Sequence, residues 1–298
     1  MLSILIPVFN FDVTKLVNEL QLQCNDQNIP FEIRVYDDHS TNIHLLASNH
    51  KLESLPSVVY KKLPENLGRS AIRNLLANEA KYTSLLFLDC DSAIQQKSFI
   101  PAYINHLKKA DVIYGGRDYE KNPPADHKKY FRWFYGINRE QTNAQQRAKK
   151  PYHSFMTNNF LIKKEVYQSI QLDESIKGYG HEDTLFGIEL QKKEISIIHI
   201  DNPLTHIGLE DVTEFLEKTK QGLKNLFIIN RKHDLTQKVK LLKYHNILAN
   251  TGMQQTFLNW FLKKESSLVS NLLSDKPSLG KFDIFKLGLY CQIVTENK

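Results

Sequence analysis

The 298-residue chain is short of cysteine, has no long apolar run, and lacks the glycine-rich, lysine-bearing loop that most often cradles a nucleotide phosphate. Its three cysteines, Cys24, Cys90 and Cys291, have no close pairing. They make neither a zinc cluster nor a disulfide framework, and a reducing cytoplasm suits them. No stretch approaches the ~18 apolar residues that a membrane span requires. The opening MLSILIPVFNFD has no basic start and too short an apolar run for a signal peptide, so it reads as a strand. The pattern G-x-x-x-x-G-K-[ST] is absent, as are internal repeats and low-complexity tracts. What remains is ordinary globular composition, 41% hydrophobic and 24% charged, in a length that fits one large domain or one domain with an appendage. A formal charge of +6 and a pI near 9.0 point to anionic partners such as phosphates, nucleic acid or a membrane surface.

Leu2 to Val8 is a continuous apolar run, as in a strand buried on both faces. Helical spacing follows over residues 13–24, with Val13, Leu16, Val17 and Leu20 on one face. Residues 31–36 alternate and end in Asp37-Asp38; 58–61 is a third strand, 70–80 a helix, and 84–88 a fourth strand. Strands alternating with helices predict a mainly parallel sheet covered on both sides, in which ligands gather beyond the carboxyl ends of the strands. Asn10, Asp37-Asp38, Asp89 and Asp91 all fall at such ends. The fourth strand, LLFLDCDS, delivers two carboxylates one residue apart, and residues i and i+2 of an extended chain point the same way. Something must neutralise them. A divalent cation does so, since hard oxygen donors suit Mg²⁺ or Mn²⁺ bound together with a phosphate; a strand end that merely turns into solvent is the plainer alternative.

Residues 121–150 change character: eight Lys/Arg against two acids, interleaved with Tyr130, Phe131, Trp133, Phe134 and Tyr135. Such a poorly periodic insertion (117–153 in all) reads as a solvated loop, as a lid over a bound donor, or as a patch for an anionic or lipid-linked acceptor; no nucleic-acid recognition motif accompanies it. Residues 155–162 return to strand character, 163–169 suit a short helix, and 195–200 is expected to be the last strand of the first domain. From Asp211 the spacing turns helical, and the Trp260-Phe261-Leu262-Lys263-Lys264 cluster suits either core packing or a membrane surface.

Five segments occur together and in order: ILIPVFN, VYDDHST at 35–41, ENLGRSAIRN at 65–74, FLDCDS at 87–92, and GYGHEDTLFG at 178–187. The first four resemble the nucleotide-sugar half of the inverting family-2 glycosyltransferases of the GT-A fold. The fifth is similar to the Gly-Trp-Gly-Gly-Glu-Asp segment of chondroitin-polymerase-like and galactosyltransferase-like members. The resemblance covers residues 1–208, divided into a nucleotide-binding half (1–91) and an acceptor half (92–208), and leaves 209–298 as a helical extension. It implies an α/β fold with a mainly parallel mixed sheet, and a metal-dependent enzyme moving a sugar from a UDP-sugar to a hydroxyl of a saccharide or lipid-linked saccharide acceptor in bacterial-type surface glycan assembly. It further implies a cytoplasmic location, with peripheral contact at the inner face of the membrane left open, and no nucleic-acid partner.

By the same resemblance Pro7, Phe9 and Asn10 line the nucleoside pocket and Asp38 accepts from the base. An imide N–H is present in uracil and absent from cytosine, which favours a UDP donor over CMP. Asn66, Gly68 and Arg73 close over the nucleotide, and Asn158 and Asn159 contact the donor sugar. Asp89 touches the ribose or a metal-bound water, while Asp91 and His206 ligate Mn²⁺ or Mg²⁺. Asp183 is the base that deprotonates the acceptor and Glu182 its partner, with the two interchangeable at this point. Gly178 and Gly180 suggest a loop packed close against substrate. Tyr179 stands where relatives often carry Trp and His181 replaces a Gly, so the acceptor pocket need not match any relative. A sugar nucleotidyltransferase is the first alternative, weakened because Val8-Phe9-Asn10-Phe11-Asp12 occupies the place of its usual glycine-rich basic loop. A catalytically silent nucleotide-sugar binder is the second, and the intact carboxylates argue against it.

Overall fold

The computed structural model describes residues 1–236 and 238–297. In chain order it runs β1 (Leu2–Val8), α1 (Thr14–Asp26), β2 (Phe31–Asp37), α2 (Ile43–His50), β3 (Val58–Lys62), α3 (Arg69–Glu79), β4 (Ser84–Leu88), β5 (Ser92–Ala93) and α4 (Phe99–Ile104). There follow β6 (Val112–Tyr114), β7 (Arg117–Asp118), α5 (Tyr130–Tyr135), α6 (Ala144–Ala148), β8 (Asn159–Lys163), α7 (Lys164–Ile170), α8 (Glu182–Lys192), β9 (Ile197–His199) and β10 (Leu204–His206). Four helices close the chain: α9 (Val212–His233), α10 (Lys240–Asn250), α11 (Gln254–Leu272) and α12 (Leu279–Glu296). Two compact units result, one of residues 1–120, 139–177 and 182–208, the other of 121–138, 178–181 and 209–298.

The first unit is built on a seven-stranded sheet in the order β3-β2-β1-β4-β8-β6-β9. The first four of these strands are parallel to one another, β8 runs antiparallel to both neighbours, and β9 is parallel to β6. Central β1 and β4 are almost wholly buried, which is why they read as unbroken apolar runs; edge β3 alternates buried and exposed. A second, three-stranded sheet, β5-β10-β7, pairs residues that are far apart in sequence. Its register sets His206 opposite Ser92, and the Ile207 N–H donates to the Asp91 carbonyl at 2.9 Å. The small sheet thereby brings the end of β10 to the turn after β4.

In the second unit, α9 starts at an Asp211 cap whose carboxylate accepts from the Glu214 N–H at 2.9 Å. Phe131 and Tyr135 of α5 pack against Phe215 and Phe282, with ring centroids 5.1–6.0 Å apart. Phe131 and Trp133 of the basic insertion are thus buried in this unit, while Tyr130, Phe134 and Tyr135 stay half-buried. Phe261 is likewise fully buried, against Gly288, while Trp260 and Leu262 stay exposed. Among the described residues no helix is long and apolar enough to cross a membrane.

Three expectations need correction. The strand expected at 195–200 is shorter and is not the last, because β10 follows it. The strand expected over 155–162 begins only at Asn159; Phe155 is buried but lies before the strand. Residues 121–138, expected inside the first domain, belong to the helical unit, since their apolar side chains find partners on α9 and α12.

Candidate active site

At the carboxyl ends of β1 and β2 the chain makes two interlocked turns. Asn10, at φ +48°, donates its backbone N–H to the Ser40 hydroxyl at 2.7 Å, and its side-chain oxygen accepts from the Thr41 and Asn42 N–H groups. Pro7 is half-buried and Phe9 exposed, an aromatic ring left in solvent at a strand end. Asp37 is spent internally, accepting from the Ser40 N–H at 2.6 Å and the Tyr60 hydroxyl at 3.3 Å. The buried carboxylate of Asp38 accepts from the Leu67 and Gly68 N–H groups at 2.7 and 3.0 Å, and its carbonyl accepts from the Asn66 amide. It shapes the loop entering α3, each of its oxygens already accepting one backbone N–H.

Helix α3 then carries two arginines one turn apart. The buried Arg73 donates to Asp89 at 2.5 Å. Arg69 donates to Glu182 at 2.6 Å. Arg117, from β7, approaches the second Asp89 oxygen at 3.5 Å and Glu140 at 3.2 Å. One member of each carboxylate pair, Asp89 and Glu182, is therefore held by the same helix. Asp89 thus has a guanidinium beside each oxygen, Arg73 at 2.5 Å and Arg117 at 3.5 Å. Arg69 and Arg117 were not singled out from the sequence. The i, i+4 spacing of Arg69 and Arg73 behind Gly68 was the available signal for the first; a two-residue strand offers none for the second.

Asp91 lies in the field of Arg117 and Arg69, but its nearest charged neighbour is a histidine. Its Oδ2 lies 3.5 Å from Nδ1 of the buried His206, and its Oδ1 is buried with no hydrogen-bond partner among the described residues. Burial raises its pKa, but the positive field of His206 and its hydrogen bond outweigh burial and hold the carboxyl below its usual range. Among the described residues there is no group of three His, Cys, Asp or Glu side chains able to hold a metal ion. The pair nonetheless fits a cation: one hard oxygen with an unused lone pair and one imidazole, leaving most of the coordination sphere for phosphate oxygens. Gly208 makes room for this pair, because a Cβ there would fall 2.5 Å from the Asp91 Cβ. Gly208→Ala is expected to push Asp91 off His206, lowering turnover at least tenfold, with a stability loss of roughly 1–3 kcal/mol readable in a thermal melt.

At the start of α8 the carboxyls diverge. Glu182 is buried; desolvation raises its pKa, yet Arg69 pulls it below the ordinary value. Asp183, half-buried, is pushed up to about 6 by burial first and then by the Glu182 charge. One carboxyl held ionised and its neighbour raised toward neutrality is the arrangement by which active sites assign a spectator and a base.

The remaining expectations divide. The Asn158 carbonyl accepts from the Asp89 N–H at 2.9 Å, and its buried Nδ2 has no partner among the described residues. Asn159 is fully buried and committed: Tyr103 donates to its oxygen at 2.6 Å, and its amide donates to the Gly116 and Asn202 carbonyls. It belongs to the core and is removed from the donor-contact group. Gly178 and Gly180 fall in the helical unit, where Asn225 donates to the Tyr179 and Gly180 carbonyls. A Cβ on Gly180, at φ +99°, would lie 2.9 Å from the Gly222 Cα, so packing on α9 accounts for a glycine assigned above to substrate approach.

The family model described as glycosyl transferase family 2 matches residues 3–171. Chondroitin synthase of Pasteurella multocida (strain Pm70) is 26% identical over 239 residues, which are 69% of this chain and 24% of that protein, so the chain spans about a quarter of that relative's length. S. aureus TarS 1-349 in complex with UDP aligns with 100% of this chain and 92% of its own, at a TM-score of 0.51 and 17% identity. The mannosyltransferase PcManGT from Pyrobaculum calidifontis, in complex with GDP-Man and Mn²⁺, aligns over 99% and 86% respectively, at a TM-score of 0.58 and 11% identity. At such identities the two structural likenesses speak for the fold alone.

Proposed function

The chain belongs to glycosyl transferase family 2, and from that premise we propose that this GT-A glycosyltransferase transfers a sugar with inversion from a UDP-sugar to a saccharide hydroxyl, with Mn²⁺ or Mg²⁺, in glycan synthesis. The observation that carries the reading is the opposed tuning of the second carboxyl pair, whose Glu182 is bound by the helix that also binds Asp89 of the first. Asp183 takes the acceptor proton: a carboxyl with a pKa near 6 is ionised at neutral pH and still a stronger base than an ordinary aspartate. Glu182 stays anionic under Arg69, raising the basicity of Asp183 and offering a second acceptor to the incoming sugar. On the donor side, exposed Phe9 offers a ring to the base, and Asn10, Asn66 and Gly68 belong to the turns that border it. Asp91 and His206 would hold the cation, which neutralises charge developing on the departing diphosphate. The TarS complex with UDP supports a uridine nucleotide; the GDP-Man complex of PcManGT makes the nucleotide the first thing to measure. The relative that makes chondroitin supports a saccharide acceptor.

A screen of UDP- and GDP-sugars with Mn²⁺ or Mg²⁺, reading slow donor hydrolysis, tests this without knowledge of the acceptor. Hydrolysis of a UDP-sugar dependent on added metal is expected; none with any nucleotide sugar would sink the reading. The assignment within the second pair has its own test. Glu182→Gln removes the charge that raises Asp183, so the acid limb of kcat/KM should move below pH 6 while turnover survives. Complete loss of turnover would make Glu182 the base instead.

A further inference from the structure

The charge of the chain is divided unequally. Eighteen of the 39 lysines and arginines but only ten of the 33 acids fall in the helical unit, giving it +8 against −2 for the other. Eight of the fourteen exposed large hydrophobic residues fall there too, among them Ile228, Ile247, Trp260 and Leu262. Both features converge on a groove of about 690 Å³ between the last turns of α9 and α12. Lys224, Phe227, Ile228 and Arg231 line it at i, i+3, i+4 and i+7, a single stripe of α9 in which two apolar side chains lie between two cations. Lys232 adds a third cation and Ile293 an apolar wall from α12.

Ordinary helix chemistry explains only part of this. Basic residues in a last turn complement the helix dipole, which accounts for Arg231 and Lys232. Lys224 lies two turns upstream, outside that field. Among the described residues neither Lys224 nor Lys232 forms an ion pair, and the Arg231 guanidinium lies 5.7 Å from the centre of the Phe227 ring. The one carboxylate of the groove, Glu296, accepts from the Gln292 amide at 2.8 Å. A core-facing stripe would be buried, yet Ile228 is 51% exposed.

We propose that this groove binds a lipid phosphoester, its phosphate held by Lys224, Arg231 and Lys232 and its hydrocarbon laid along Phe227, Ile228 and Ile293. The volume lies in the range of small-molecule sites. An apolar floor with a cationic rim matches an amphiphilic anion and leaves a free sugar phosphate with nothing to place on the isoleucines. A phosphoester lipid is also the chemistry of a membrane surface and of a lipid-linked acceptor, and the binding is independent of sugar transfer.

The test is a calorimetric titration of the full chain with dihexanoyl phosphatidic acid below its micelle concentration, with glycerol 3-phosphate as the headgroup alone. Saturable binding of the amphiphile is expected, much tighter than of glycerol 3-phosphate. The double variant K224Q/R231Q should weaken it about thirtyfold, at about fivefold per lost cation. Ile228→Ser should weaken the amphiphile only, and K263Q/K264Q on α11 should bind as the wild type does. All the substituted side chains are exposed, and a thermal melt confirms that each variant folds. Equal affinity for glycerol 3-phosphate would reduce the groove to an anion site and overturn the proposal. Unchanged binding by K224Q/R231Q would overturn it as well. So would co-sedimentation with phosphatidylglycerol vesicles without monomer binding, which would assign the charge to general surface attraction.

Discussion

Asparagine in place of Asp91 is expected to cut sugar transfer by a factor on the order of 10³ and to abolish its response to added Mn²⁺ or Mg²⁺. The size follows from what the side chain is asked to do. A departing nucleoside diphosphate gains charge as the glycosidic bond breaks, and several kcal/mol of the barrier depend on neutralising it. Asp91 is the carboxylate free for that work: its Oδ1 has no hydrogen-bond partner among the described residues, and His206 stands 3.5 Å from its other oxygen. An amide keeps the shape and loses the charge, so the melting temperature should change little. Asp89, two residues away, should fail differently. Its asparagine variant strips the buried Arg73 of its counter-charge, and stability should fall by about 3 kcal/mol. Metal-stimulated transfer surviving in Asp91→Asn, or a metal response lost only in Asp89→Asn, would reverse the two assignments.

That distinction between neighbouring aspartates shows where sequence reading stops. The strands β1, β2 and β4 and the helices between them were legible because strands buried on both faces must be continuously apolar and amphipathic helices repeat every 3.6 residues. The carboxylates at their ends were legible for the same reason, since polarity breaks the pattern there. The small sheet was not: β5 and β7 have two residues each and β10 three, too few to show any period. Yet its register decides which aspartate meets His206 and places Arg117 on Asp89. Asn159 misled because an amide is as able to satisfy buried carbonyls as to meet a sugar, and only its neighbours say which. Gly180 misled similarly, since close approach to a substrate and close approach to another helix ask for the same residue.

Asparagine in place of Asp183 should lower kcat/KM by roughly 10²–10⁴, the range that general-base catalysis supplies, and at the same time make the folded chain more stable. The two effects share one cause. Burial and the Glu182 charge hold the Asp183 carboxyl at about 6, above the 3.8 of an unperturbed aspartate. Between those values the folded chain binds a proton that the unfolded chain has lost, so stability falls as pH rises through that window. Above pH 6 the carboxylate is ionised beside another anion, a standing penalty on the order of 1–2 kcal/mol after allowing for its partial exposure. Asparagine removes it. The variant should therefore melt close to the wild type near pH 4 and above it at pH 8, and the wild-type kcat/KM should rise with pH to a plateau above about 6. A residue that merely anchored the first turn of α8 would give the opposite signature when replaced, a lower melting temperature at every pH with only a modest loss of rate. Rate–pH profiles and melts of the two proteins at pH 4 and 8 separate these outcomes, and transfer retained to within tenfold in Asp183→Asn would exclude it as the base.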